Sequence, residues 1–256
     1  MESIPPSAGE SSERRANAVF PSPAQRLLLI LLRPTQAFRG LDRERLSWLL
    51  PAVLVAVVTI LPSQTLLRPL YIEHQQQALE TYVARGILTP EQAHEMMRQL
   101  PEPQTPPGAG GLVLPLFAGT LAQIVLRYLL PAALLLGGAA FVLEVRVRFG
   151  TMLGIVGFAS LPAALRELLR LPLALATDRL TVTFSPAAFT GGDSFGSHAL
   201  GLLDIFDLWI LGLLMVGLMR VANVTLGKAA LLVLPLWGVY SLMKLGLRAS
   251  PFGAGL

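Results

Sequence analysis

The sequence predicts an all-α fold, a polytopic membrane helical bundle of about five transmembrane helices. Three observations predict it. Of the 256 residues, 53% are hydrophobic and only 14% charged, where a soluble domain carries about 25% charged residues. The mean hydropathy is +0.60 over the whole chain, which describes a polytopic protein rather than a soluble domain on one anchor. Five apolar stretches approach the roughly 20 residues needed to cross a bilayer.

Taken in order, residues 1–23 hold Ser, Pro, Glu and Arg with few apolar positions, which reads as a disordered cytoplasmic tail. "RLLLILLR" (26–33) has six apolar residues between two Arg, short of the roughly 7–15 of a cleavable signal, and reads as a membrane-surface helix near 24–32. The membrane domain is expected over 24–247, its first span at about 46–67. A polar insertion follows. Residues 73–85 read as a helix stopped by Gly86, and "TPEQ" (89–92) supplies an N-cap, a first-turn proline and a capping-box glutamine. The result is a helical hairpin outside the membrane, 71–100, closed by a Pro/Gly linker at 101–111.

The second span lies within 112–143. As one straight helix, that stretch would be about 48 Å long, and Arg127, Tyr128 and Pro131 sit in its middle. Two solutions stay open: a long tilted helix, or an interfacial segment (112–126) followed by a span from about 127 to 145. The third span is about 150–176. An irregular Gly/Ser-rich loop, "FSPAAFTGGDSFGSH" (184–198), precedes the fourth span at about 202–220. The fifth span is about 227–247, with a C-terminal tail at 248–256.

Basic residues in the short loops set the orientation. With the N-terminus inside, eleven Lys and Arg fall on the cytoplasmic side and six outside, so the positive-inside rule gives N-in, C-out. Eighteen Arg against two Lys, with abundant Ala, Leu, Pro and Gly, fits a high-GC bacterial genome and hence an inner membrane.

The composition excludes several chemistries. There are no cysteines, so disulfides and thiolate metal or redox sites are ruled out. No basic patch interleaved with aromatics marks a nucleic-acid partner. Of the three His, His94 lies with Glu91 and Glu95 at helical spacing, a pattern read as a solvated face. No zinc-hydrolase signature, phosphate-cradling loop or nucleophile elbow occurs. No cofactor and no enzymatic activity are expected.

Charges inside the spans are the informative feature, because one at a helix centre costs about 2.5–3.5 kcal/mol on insertion scales. Arg166, Glu167 and Arg170 lie in the third span, Asp204 and Asp207 in the fourth. Arg166 and Arg170 share a helix face, as do the two aspartates. Arg170 and Asp207 both fall about 6–9 Å from the outer end of their antiparallel spans, so this pair is expected, with Arg166 and Glu167 a turn deeper. Three readings stay open: a structural helix-pairing element aided by the helix dipole, a site for a proton, ion or lipid head group, and arginines snorkelling to anionic head groups.

Three segments, in order and spacing, resemble one family. They are "LLRPTQAFRGL" (31–41), a Pro-then-Phe approach to the first span; "FGTMLGIVGFASLPAALRELL" (149–169), an aromatic-Gly entry to a Pro-containing span; and "LLDIFDLWILGLLMVGL" (202–218), an Asp-x-Phe-x-x-Trp entry. Together they resemble the Yip domain, named for membrane proteins that interact with Rab/Ypt GTPases, over about 25–247. The resemblance implies five helices and a cytosolic N-terminus. In eukaryotic relatives it implies vesicle traffic, membrane shaping and contact with prenylated GTPases through long N-terminal regions. Here the first 45 residues are short, Arg-rich and Pro-interrupted, a departure from that pattern. For bacterial members it implies membrane location and a helical bundle, with no established activity. The expected function is a non-enzymatic scaffold or adaptor acting through membrane lipids, other membrane proteins or self-association. The alternative is a small transporter or channel using the Arg166/Glu167/Arg170/Asp204/Asp207 cluster.

Overall fold

The computed structural model describes residues 20–44, 46–99, 121, 124–177, 182–190 and 195–249. The tail through residue 19, the linker at 101–111, most of the 112–126 segment and residues 250–256 lie outside them. Among the described residues every regular element is a helix.

The chain enters through α1 (Pro23–Leu32), started by a capping box in which Ser22 and Gln25 satisfy each other's backbone N–H groups. A short α2 (Pro34–Ala37) and a left-handed turn at Gly40 (φ 67°) follow. They deliver the chain to α3 (Leu49–Thr65). A 66° bend then leads into α4 (Arg68–Ala84). Gly86, at φ 69°, ends α4 in the left-handed conformation that costs glycine little. α5 (Pro90–Gln99) opens with reciprocal bonds between Thr89 and Gln92 of 3.0 and 3.3 Å.

A π-helical turn (Ile124–Leu129) runs straight into α6 (Leu130–Phe141). This apolar helix begins close to Arg127, and the preceding residues 112–120 lie outside the description. The third apolar stretch forms two helices, α7 (Phe149–Ala159) and α8 (Leu161–Thr177), interrupted at Ser160. Pro162 is the reason, since it has no N–H to continue the ladder. The Ser160 N–H is shared between the carbonyls of Val156 and Gly157 at 3.0 and 3.3 Å.

In the 184–198 loop, proline organises a 3₁₀ turn (Pro186–Phe189), and α9 (Phe195–Gly201) follows, giving more local order than its composition suggests. α10 (Ile205–Val221) and α11 (Leu226–Ala249) complete the chain. Pro235 lies inside α11 without interrupting it.

Among the described residues, three helical segments have the length and apolarity to cross a membrane: Ile124–Phe141, Phe149–Thr177 and Leu226–Gly246. The bent pair α3–α4 makes a fourth if it counts as one span. α10 is apolar but 17 residues long, about 26 Å, so by helix length the structure gives three to four spans where five are expected from the sequence. The fourth stretch loses its first residues to the cap at Asp204.

The α7–α8 segment is the hub, with 72% of its apolar window buried against 22% for each of the other two. It packs against α1, α3, α6 and α10, and α11 closes the ring between α10 and α6. Its buried side chains, among them Met152, Ile155 and Phe158, meet Tyr128, Leu213, Leu218 and Val233 in one core. The outer faces carry exposed Val53, Val57, Leu134, Leu231 and Leu242, a surface suited to acyl chains rather than water.

Small residues set the closest approaches. A methyl group on Gly217 would lie 2.6 Å from Ile155 Cγ2, and one on Gly157 would lie 3.2 Å from the Trp48 backbone. Gly137 and Gly212 face open space and serve no such contact.

At the Ser160 break, the fully buried Tyr128 hydroxyl lies 3.3 Å from Ser160 Oγ, which donates to the Gly157 carbonyl at 2.7 Å. Tyr128→Phe should therefore lower stability by about 1 kcal/mol, measured by unfolding in mixed micelles. A variant as stable as the parent would show that this bond contributes nothing.

Candidate functional site

The charged side chains of α8 and α10 meet at the end of the bundle where α10 begins. A segment entering the membrane at Phe149 crosses a hydrocarbon core of about 30 Å in roughly 20 residues, so it leaves near Leu168. Arg166, Glu167 and Arg170 straddle that exit, and Asp207 is in the first turn of α10. At such a boundary a charge can reach head groups or water, which lowers the cost of holding it in a span.

Local geometry assigns the partners. Arg166 Nη1 donates to Asp207 Oδ1 at 3.0 Å, joining α8 to α10. Arg170 Nε donates to Glu167 Oε2 at 2.8 Å, one turn back on its own helix. Glu167 Oε1 also stands 3.9 Å from Arg166 Nε, so the two pairs form one chain of alternating charge. All four side chains are partly buried, between 15% and 27% exposed.

The bridging pair is therefore Arg166–Asp207, where spacing alone suggests Arg170–Asp207. The physical reason is the start of α10. The helix begins at Ile205, so Asp207 lies in its first turn, where it faces Arg166, and Glu167 captures Arg170 locally. Asp204 stands apart from the ion chain. It is the buried N-cap of α10, its Oδ1 accepting the Phe206 N–H at 2.8 Å. Asp204 and Asp207 both sit at the positive end of the helix dipole.

Two residues join the network that the sequence reading leaves out of it. The Tyr71 side chain on α4 is hydrogen-bonded to Arg170. Arg127, in the π-helical turn, lies within electrostatic reach of Arg166, Glu167 and Asp207. The signal for Arg127 is its position in an apolar stretch at matching depth; Tyr71 carries none, since its place beside Arg170 depends on the bend after α3. The network thus gathers side chains from α4, the turn before α6, α8 and α10. Its three guanidiniums face two carboxylates, Glu167 and Asp207, leaving one positive charge.

Chemically, the arrangement can hold helices in register and attract an anion. Among the described residues no group of three His, Asp or Glu side chains is placed to hold a metal ion. Glu91, His94 and Glu95 stay on α5, where Glu95 lies 3.9 Å from Arg98 on an exposed face. The described part of His198 is its backbone in α9.

The sequence model of one family, described as the Yip1 domain, matches residues 28–247. The chain belongs to the Yip1 domain family. The match runs from the second half of α1 to the last turn of α11, and takes in the whole polar network. This Yip1-domain protein is an all-α, multi-pass membrane protein. No curated protein and no solved structure matches it.

Proposed function

We propose that this Yip1-domain protein is a non-enzymatic scaffold or adaptor that acts through lipids or partner membrane proteins. Its N-terminus would face the cytoplasm and its C-terminus the outside of a bacterial inner membrane. One observation carries the reading: four of the intramembrane ions pair with each other across and along the helices, Arg166 with Asp207 and Arg170 with Glu167. A solute pathway would call for polar groups left open to a cavity; two cavities among the described residues, of about 790 and 260 Å³, are lined by other residues, around Glu44.

A double-mutant cycle tests the structural part. Arg166→Ala and Asp207→Ala should each destabilise, and their coupling should fall at about 1–3 kcal/mol. Zero coupling would remove the contact and with it the helix-pairing role.

Crosslinked recovery from native membranes, with bound lipids identified, tests the function. Discrete protein or lipid partners are expected. A retained solute with neither would turn the reading towards transport. A C-terminal reporter active only in the cytoplasm would overturn the orientation.

A further inference from the structure

We infer that the opposite end of the bundle, where α3 and α7 begin, binds a phospholipid with a primary-amine head group, of the phosphatidylethanolamine class. The inference rests on the reading that the protein works through lipids, and it names which lipid and where.

The site is built from the Gly40 turn outward. That turn and the 3₁₀ turn after it (Leu41–Arg43) place Glu44 in extended backbone. The buried Arg26 holds one oxygen of Glu44, Nη2 to Oε1 at 3.2 Å. The other oxygen, Oε2, is shielded from solvent and accepts no hydrogen bond. An acceptor in that state is costly unless a donor reaches it.

Glu44 lines two cavities. In the smaller, about 260 Å³, it is joined by Asp42 and Arg148 beside the first turn of α7 at Gly150 and Thr151. Arg148 has no ion-pair partner among the described residues. In the larger, about 790 Å³, Glu44 stands at the polar edge of an apolar groove formed by Leu46, Leu49, Leu50 and Val53.

These features match one amphiphile part by part. A primary ammonium has three N–H donors, enough for the exposed Asp42 and the partly exposed Glu44 carboxylate that line the smaller cavity. A phosphodiester suits Arg148, strengthened by the positive end of the α7 dipole beside it. The groove takes an acyl chain along the first turns of α3, whose leucines are exposed at the rim of the membrane domain. A free phosphate would leave the groove empty, and an anionic lipid would set its charge against Asp42 and Glu44. A choline head group has no N–H to give. The zwitterion with a primary amine satisfies every group.

The experiment is native mass spectrometry of the full chain in detergent, titrated separately with phosphatidylethanolamine, phosphatidylcholine and phosphatidylglycerol of identical acyl chains. The ethanolamine lipid should be retained roughly fivefold to tenfold better than the other two. Asp42→Asn should lower that preference, Arg148→Gln should weaken the ethanolamine and choline lipids together, and Leu50→Trp should fill the groove and weaken all three. Asp42 and Arg148 are exposed and Leu50 faces outward, so these variants should fold normally, whereas Glu44 also anchors Arg26.

Equal retention of the three lipids, a preference untouched by Asp42→Asn, or retention untouched by Arg148→Gln, would overturn the site while leaving lipid dependence in general intact. Failure to retain any lipid would overturn both. A photo-crosslinker at position 50 in native membranes should yield a lipid adduct. A link to another polypeptide, or to a second copy of this chain, would overturn the assignment of the groove to lipid.

Discussion

Replacing Arg26 with alanine should destabilise the protein by about 3–5 kcal/mol, the usual cost of removing one partner from a buried ion pair. Its side chain is fully buried. It ties α1 to two later segments at once, through Nη1 to the Ala37 carbonyl and through Nη2 to Glu44. Loss of the guanidinium strips that carbonyl of its side-chain donor, leaves the partly buried Glu44 without its partner and opens a void where the fully buried side chain stood. The double variant Arg26→Met/Glu44→Leu should recover most of the loss, because an apolar pair of similar volume carries no desolvation penalty. Unfolding in mixed micelles measures both. A small effect of Arg26→Ala, below about 1 kcal/mol as for exposed pairs, would mean that α1 is not anchored this way.

Gly157→Leu should cost about 3 kcal/mol, at the upper end of overpacking effects. A Cβ at Gly157 already lies 3.2 Å from Trp48 Cα and 3.3 Å from Pro51 Cγ. Neither neighbour can turn aside, one being backbone and the other a proline ring, so α3 would have to move off the hub. Gly212→Leu is the control: nothing lies within 4 Å of its position, and its stability should stay within about 0.5 kcal/mol of the parent. If the two leucine variants behave alike, the close approach of α3 and α7 is not a determinant of stability.

The candidate site was partly legible. Arg166, Glu167, Arg170, Asp204 and Asp207 stand out because a charge in an apolar run is costly and so carries information. Two facts about partners are not in the run. A carboxylate three residues before an arginine on one helix competes with any partner across the interface, and Glu167 wins Arg170. Asp204 reads like Asp207 by composition, yet one residue is the cap and the other the ion-pair partner. Only the residue at which α10 begins separates them.

Arg127 and Tyr71 show a different gap. Arg127 reads as a boundary residue and Tyr71 as part of an outer hairpin. They reach the network because the turn before α6 and the start of α4 return to the level of α8. A one-dimensional pattern carries no record of that return.

The sequence by itself determined the solvent and the class of fold. An apolar excess this large can be buried only in lipid or against other helices, and backbone groups in lipid must be satisfied within helices. It also determined a helix start that depends on neighbours a few residues away, the Thr89–Gln92 capping box. The tertiary structure alone decided that α7–α8 is the buried hub, that Gly157 and Gly217 are contacts while Gly212 is not, and that Arg26 is buried on Glu44 from a helix that looks purely interfacial. The physical reason is range. Capping and hydropathy act within a turn or along one face, whereas close packing and ion pairing depend on the relative placement of helices tens of residues apart, which local spacing does not encode.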